Sequence, residues 1–368
     1  MSRSRSETPL PPCYAIVHPG LEPVASEEIE RELGGEVKRL GRGLVVFRVP
    51  RIDDSLLQLR TTEDVFLLAW GTDQLTFRAE DLDKIQRWTA READWDRLLR
   101  LHHAVRPKPK ARPTYRLITQ MEGKHGYLRR DAGRALARGL AGKLPESWKP
   151  AEENAAVEIW LTIDGATAVC GLRLSDRTMR HRTYKLEHRP ASLRPTLAAA
   201  MVRLAEIRPP HVVLDPMCGA GTLLAEHLAA SSGAPWKGVA RPPALGGDID
   251  GGAVRAATAN LRRLGQVALT QWDATQLPLA DASVDRIVSN PPFGKQLGQP
   301  EEIGPLYGRM IHEYDRVLRP GGRAVLLSSD ADKLRSAVQA VGWKSLRRLT
   351  VRILGQTATI GVWRKAGE

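Results

Sequence analysis

HVVLDPMCGAGT, residues 211–222, is the stretch that decides the fold. An apolar strand ends at Asp215, a turn carrying Gly219 and Gly221 follows, and a helix is expected from Thr222. Glycines there let backbone approach a ligand closely, and the helix N-terminus behind them favours electron-rich groups. The turn lacks the Gly-Lys-Ser/Thr ending of a P-loop and is not the G-x-G-x-x-G dinucleotide pattern. Taken alone it fits a nucleotide, a dinucleotide or a tight packing turn.

Working outward, strands and helices alternate, as in a wound, largely parallel sheet. The helix SLRPTLAAAMVRLAEI precedes the turn. ALGGDI (244–249), a helix over 253–263, QVALTQWDA (266–274), VDRIVSN (284–290), a helix around 304–318 and GRAVLLSS (322–329) follow. LTVRILG and ATIGVW close the chain as an expected antiparallel hairpin. Polar groups are expected at four successive strand ends, where open α/β sheets bind ligands. Asp215 ends the first. Asp248 ends the second, placed to accept both hydroxyls of a ribose. Asp250 either shares that part or caps the next helix. Asp273 ends the third, placed to accept from an adenine amino group. Asn290-Pro291-Pro292-Phe293 ends the fourth, and its two prolines make a stiff turn out of the strand. Together these point to an adenosine-containing cofactor.

The N-terminal half reads differently. YAIVH, the amphipathic GLEPVASEEIERELGG and GLVVFRV form strand, helix, strand, too little to stand alone. VFLLAW (65–70) is a buried strand, RPKPKARP (106–113) a basic loop, YRLITQ (115–120) a strand. AVEIWLTI and TAVCGLRLS form a hairpin across Asp164-Gly165. YLRRDAGRALARGLAGKL (127–144) is an amphipathic helix with Leu128, Ala132, Leu136, Leu140 and Leu144 facing the core. Arg130, Arg134 and Arg138 lie about 200° round from that stripe.

Charge agrees with this division. The chain of 368 residues carries a net +13, and residues 100–150 hold thirteen Lys/Arg against three acids. A concentrated basic surface suits a polyanion such as RNA, with Lys124, His125, Arg129, Arg130, Arg134, Arg138 and Lys143 the candidate contacts. No apolar run approaches a membrane span, so no membrane partner is expected. MSRSRSETPLPP lacks an apolar signal core and reads as a loose tail. Three scattered cysteines, Cys13, Cys170 and Cys218, suggest neither a disulfide framework nor a metal site and fit a reducing, cytoplasmic setting.

DPMCGAGT, GGDID, QWDA and NPPFG resemble the motifs of class I S-adenosylmethionine-dependent methyltransferases acting on exocyclic or amide nitrogens. With GLEPVASEEIERELGG and the stretch from about 60 to 184, nearly the whole chain resembles THUMP-domain tRNA (guanine-N2)-methyltransferases. The group it is most similar to modifies guanosine 6 in the acceptor stem. The resemblance implies a Rossmann-like α/β domain over 195–368, with a mostly parallel seven-stranded sheet ending in an antiparallel hairpin. Ahead of it would stand a disordered tail (1–12), an α+β ferredoxin-like part (13–55), a THUMP RNA-binding domain (56–184) and a linker (185–194). It also implies a monomer that takes S-adenosylmethionine, acts on tRNA and needs no metal.

By motif, Asp215, Gly219 and Gly221 would hold the methionine end of the cofactor, Asp248 the ribose and Asp273 the adenine. Thr196, Cys218, Thr222, Ala274 and Asn290 would complete its surroundings. Two departures from the family stand out. Asp248 lies 33 residues after Asp215, with SSGAPWKGVARPP (231–243) inserted between. AEENAAVEI replaces an Asn-Pro-Asp-type turn. Asn290 and the Pro291 carbonyl would accept the two N–H bonds of the target amine, with Phe293 stacked on a base taken out of its helix. Methylation of rRNA guanine N2 or adenine N6 is an alternative reading. An RNA-binding module with an inactive enzyme domain is another.

Overall fold

The computed structural model describes residues 9–107, 112–190, 192–231, 243–293, 303–353 and 355–367. They form two compact units, the described residues up to 16 with 26–179, and residues 17–25 with 180 onward.

The first unit is built on one eight-stranded sheet. Its strands are β1 (Cys13–Val17), β2 (Glu36–Gly41), β3 (Leu44–Arg48), β4 (Thr62–Thr72), β5 (Thr114–Glu122), β6 (Lys149–Pro150), β7 (Val157–Asp164) and β8 (Thr167–Arg173). Their order is β2-β3-β1-β4-β8-β7-β5-β6. The expected division at 55/56 therefore runs through a single sheet, with β1 beside β4. Across that junction the Tyr14 and Phe66 rings stack in parallel at 4.5 Å, and Trp160 meets Phe66 edge-on at 5.6 Å. The helices before residue 181 are α1 (Glu22–Leu33), α2 (Glu80–Arg91), α3 (Trp95–Val105), α4 (Arg129–Gly139) and α5 (Arg177–Arg180).

Helix α4 is shorter than the 127–144 expected. Asp131 accepts the Leu128 N–H at 3.1 Å and so closes the helix start. Leu128 stands outside the helix, 54% exposed and not part of the core stripe, whereas Ala132, Leu136 and Leu140 are buried. Gly142, with φ +69°, breaks any continuation toward Leu144.

The second unit contains α6 (Pro195–Leu204), β9 (Val213–Asp215), α7 (Thr222–Ala230), β10 (Ala244–Asp248), α8 (Gly251–Leu261), β11 (Ala268–Gln271) and β12 (Val284–Ser289). It continues with α9 (Ile303–Val317), β13 (Leu318–Ser328), α10 (Ala331–Ala340), β14 (Lys344–Ile353) and β15 (Gln356–Arg364). The sheet order is β11-β10-β9-β12-β13-β15-β14. The first five strands in that order are mutually parallel, and β15 lies antiparallel to both β13 and β14. The expected seven-stranded sheet with its terminal hairpin is thus present. Strand order reverses between β9 and β12, which makes the switch point where open sheets leave a crevice. Val213 and Leu214 are completely buried, as befits a central strand covered on both faces. Tyr307, Met310, Ile311 and Tyr314 form the buried face of α9, in one cluster with Leu214, Ile287 and Leu326.

Several elements lie outside the sequence reading, strand β2 and helix α10 among them. Strand β2 (EVKRLG) is mostly exposed and has no apolar alternation. Helix α10 buries only Leu334 and Val338, and its start rests on Asp330, whose Oδ1 accepts the Lys333 N–H at 3.1 Å. Segment 185–194, expected as a linker, is fastened to the second unit. Asn260 Oδ1 accepts the N–H groups of Leu186 and Glu187, both at 2.8 Å, and Lys185 Nζ donates to the Leu193 carbonyl at 3.0 Å. Among the described residues no helix is long and apolar enough to cross a membrane.

Candidate functional site

The glycine turn after β9 is held from three sides. The Gly219 N–H donates to Asp248 Oδ2 at 2.9 Å, Asn260 Nδ2 to the Ala220 carbonyl at 2.9 Å, and Trp272 Nε1 to the Pro216 carbonyl at 2.9 Å. The Cys218 N–H also donates to the Gly247 carbonyl at 2.8 Å. Residues from β10, α8 and the end of β11 therefore set the shape of one short loop.

Its two glycines have different duties. Gly221 has φ +77° and starts α7, and a Cβ there would stand 3.1 Å from Ala257 Cβ and 3.2 Å from Leu261 Cδ1. Gly219 has φ +52°, and a Cβ there would meet nothing within 4 Å. The first glycine is required by helix packing. The second leaves open space in front of backbone, the condition for a ligand to approach it closely.

Asp248 accepts two backbone N–H bonds, from Gly219 on Oδ2 and from Asp250 at 3.0 Å on Oδ1. Each oxygen keeps a second lone pair, and the carboxylate cannot rotate. Asp250 takes the capping role left open by the sequence. Its Oδ1 accepts the Gly252 N–H at 2.7 Å, and its Oδ2 pairs with Arg189. Both of its oxygens are thus engaged within the chain, one of them by a cation.

Asp215 is 1% exposed. Burial pushes its carboxyl up to about 8, with the Met217 N–H opposing and the Asp248 charge adding to the rise. Its side chain therefore holds a proton at neutral pH until a cation comes beside it.

Asp273 lies two residues past β11 and not at its end. Its exposed carboxylate turns back on its own chain, where Oδ1 accepts the Thr275 N–H and Oγ1, both at 2.8 Å. The Ala274 side chain is buried in the core, which leaves only its backbone for a ligand. Thr196, in the first turn of α6, is 2% exposed. Thr222, 5% exposed, lies 3.3 Å from the Ser192 hydroxyl. Cys218 is also buried, and burial raises its thiol far above the ordinary range. All three side chains are buried.

Register brings β12 to the same edge. Leu214 lies beside Ile287, so Asp215 and Asn290 finish neighbouring parallel strands. Asn290 Oδ1 is buried and has no hydrogen-bond partner among the described residues. A buried amide oxygen without a donor is costly unless a ligand supplies one. The Pro291 carbonyl likewise accepts no hydrogen bond among the described residues. The Pro292 carbonyl is occupied, accepting from the Tyr307 hydroxyl at 3.0 Å. Phe293 is half-buried, packed against the apolar cluster that contains Leu197 and Met201. Gly294 of the motif, and 232–242 of the insertion, lie outside the described residues.

Three residues that shape this site were not singled out from the sequence. Trp272 packs so closely on Gly247 that a Cβ there would be 2.3 Å from its ring. It lies within the quoted QWDA, an aromatic beside an acid. Asn260 is a polar residue on the buried face of α8, the one signal that would have marked it. Tyr307 reads as an ordinary core position at helical spacing.

In the first unit Lys124, Arg129, Arg130, Arg134, Arg138 and Lys143 are exposed, and His125 is half-buried. Asp131 sits among the helix cations, 3.4 Å from Arg134 and 4.0 Å from Arg130. Arg138 donates to Gln86 at 2.9 Å. Arg106, at the head of the basic loop, is used within the unit. It donates to the Leu174 carbonyl and pairs with Asp176 at 2.9 Å. Residues 108–111 of that loop lie outside the described residues. No cluster of three or more metal-ligating side chains occurs among the described residues.

Residues 182–358 match the family model UPF0020, RMKL-like, a methyltransferase domain. A curated protein of Thermus thermophilus, tRNA (guanine(6)-N2)-methyltransferase, is 31% identical over 334 residues, covering 88% of this chain and 91% of that protein. The mouse tRNA (guanine(6)-N(2))-methyltransferase THUMP3 is 32% identical over 251 residues, which cover 63% of this chain. The match takes in 48% of the mouse protein, so the chain spans about half of that relative's length. The crystal structure of TrmN from Thermus thermophilus superposes with a TM-score of 0.75 at 27% identity, covering 96% of this chain and 99% of that one.

Proposed function

The chain belongs to the tRNA (guanine(6)-N2)-methyltransferase family, and from that membership we propose that it methylates the exocyclic N2 of a guanosine in tRNA, at position 6 of the acceptor stem. The methyl donor is S-adenosylmethionine, and the setting is cytoplasmic. The observation that carries this reading is the unpartnered Asn290 oxygen at the strand end beside the glycine turn.

The residues present fit the cofactor. Gly219 leaves open space before its backbone, and Asp248 offers two oriented lone pairs to a pair of vicinal hydroxyls. Asp215, short of a counter-charge, suits an amino group that would draw off its proton. When bound, the cofactor supplies an electrophilic methyl group on a sulfonium.

The rest belongs to the chain. The lone pair of guanine N2 is delocalised into the ring, which makes the amine a weak nucleophile. Asn290 Oδ1 and the Pro291 carbonyl accept its two N–H bonds and hold the nitrogen's lone pair toward the methyl. Positive charge developing on nitrogen is met by these two carbonyl dipoles, so no side chain must act as a base beforehand. Tyr307 ties off the neighbouring Pro292 carbonyl and keeps the turn from shifting. Phe293 would offer a ring edge or face to the base from its half-buried seat. The basic surface of the first unit would hold phosphates through Lys124, His125, Arg129, Arg130, Arg134, Arg138 and Lys143.

The test pairs a variant with a product assay. Asn290→Ala should abolish methyl transfer yet bind S-adenosylmethionine as the parent does. Equal loss of both would reassign Asn290 to cofactor binding. Mass-spectrometric nucleoside mapping of tRNA from cells lacking the protein should show guanosine 6 unmethylated. A complete N2-methyl set in those cells would exclude tRNA as the substrate.

A further inference from the structure

We propose that Asn260 is a positioning residue for the methyl donor, joining the cofactor turn to the chain segment that enters the second unit so that the two hold or release together. The inference rests on the cofactor reading above and names what keeps the turn in its binding shape.

Asn260 is 3% exposed, on the buried face of α8. An amide side chain can accept two hydrogen bonds and donate two, and here all four are made. Oδ1 accepts the N–H groups of Leu186 and Glu187, both at 2.8 Å. Nδ2 donates to the Glu187 carbonyl at 3.0 Å and to the Ala220 carbonyl at 2.9 Å. This set fixes the orientation of the amide, because turning it over would bring its NH2 against two N–H donors. An ionised Asp would offer no donor here, and Leu neither donor nor acceptor.

Ala220 stands between Gly219 and Gly221, both at positive φ. Glycines leave a turn free to take other shapes, so its form must be imposed from outside. The Gly221 N–H donates to the Cys218 carbonyl at 2.7 Å, and Asn260 holds the carbonyl of that same peptide group. With both ends engaged the peptide plane cannot rotate, and the Gly219 backbone keeps facing open space.

The entry segment depends on such bonds, for Leu186, Glu187 and His188 are exposed, Leu186 at 46%. Its other ties reach the same neighbourhood. The Tyr184 hydroxyl donates to the fully buried Glu226 of α7 at 2.6 Å, and Arg189 pairs with Asp250, whose N–H donates to Asp248. Lifting residues 186 and 187 would strip Asn260 of three bonds out of four and leave a buried amide unsatisfied. Nothing but Ala220 would then hold the amide in place. Turn and segment thus share one side chain, and what orders the first orders the second.

The experiment uses the full chain, with calorimetric titration of S-adenosylmethionine and hydrogen exchange read peptide by peptide. In the parent, saturation with S-adenosylmethionine should slow exchange in peptides containing Leu186 and Glu187 by about fivefold or more and leave α10 unchanged. Asn260→Asp keeps the acceptor for both N–H groups and removes the two donors. Its affinity for S-adenosylmethionine should fall about tenfold, as for one lost hydrogen bond, with KM rising to match and kcat at saturation within about twofold. Its 186–187 peptides should exchange alike with and without the cofactor. A lower Tm with unchanged KM would make Asn260 merely structural and overturn the proposal. So would parent peptides whose exchange ignores the cofactor, a result that does not depend on the variant folding. Failure of the parent to bind S-adenosylmethionine would instead overturn the cofactor assignment beneath it.

Discussion

The Tyr307 hydroxyl donates to the Pro292 carbonyl across 3.0 Å, so helix α9 holds the turn that begins at Asn290. Behind it, the Ser328 hydroxyl lies 3.1 Å from the Tyr307 oxygen, and the Asp330 N–H donates to Ser328 at 2.9 Å. A chain of three hydrogen bonds thus runs from the end of β13 to the proline turn.

Tyr307→Phe keeps the ring in its fully buried seat and removes only the donor. The expected result is a fall in kcat of about tenfold, from a lost hydrogen bond worth roughly 1–2 kcal/mol in alignment. Cofactor affinity should stay within about twofold, since no change is made to the glycine turn. Single-turnover methyl transfer and calorimetric titration separate the two, and a matching loss of affinity would deny Tyr307 a positioning role.

The two glycines of the turn should separate stability from binding. Gly221→Ala combines φ +77° with contacts at 3.1 and 3.2 Å, so a destabilisation of about 2–3 kcal/mol is expected. Gly219→Ala meets no atom within 4 Å and should cost only about 1 kcal/mol of strain, while its methyl fills the space a ligand needs. Thermal unfolding and cofactor titration of both variants check the contrast.

Asp215 makes stability depend on pH. Folded, its carboxyl keeps a proton to about 8, whereas the unfolded chain releases it at the ordinary carboxyl value of 3.8. Between those values the unfolded state binds fewer protons, so this residue's contribution is full below about pH 4 and is lost as pH rises toward 8. Asp215→Asn stays neutral throughout. Its Tm should therefore gain on the parent's across that window, by the equivalent of a few kcal/mol at most. Parallel pH profiles would mean that the buried carboxyl is already ionised.

Replacing both Arg130 and Arg134 by Glu should weaken tRNA binding and flatten its salt dependence. Each lost phosphate contact lowers the slope of log K against log salt by about 0.9. Both side chains are about 70% exposed, so the fold should tolerate the change. An unaltered slope would remove this face from the RNA contact.

Much of the second unit is legible from local pattern. Short apolar runs ending in Asp215, Asp248 and Ser289-Asn290 are buried strands, and the glycine turn announces the helix behind it. Amphipathic periodicity also marks α4 and its basic face. What escapes that reading depends on partners distant in sequence. Helix α10 and strand β2 bury too little to show a period. Asp273 matches its motif, yet its own turn claims one carboxylate oxygen through Thr275. Asp250 has two readings in sequence, and Arg189, 61 positions away, helps decide for the cap.

By itself the sequence determined the order of elements and which polar residues stand at strand ends, because side-chain periodicity and turn chemistry act over a few residues. Only the tertiary structure decided that β9 and β12 lie side by side, bringing Asp215 and Asn290 to one switch point. The same is true of the Tyr307 lock on Pro292. Each rests on hydrogen bonds and packing between segments far apart in the chain, which no local pattern encodes.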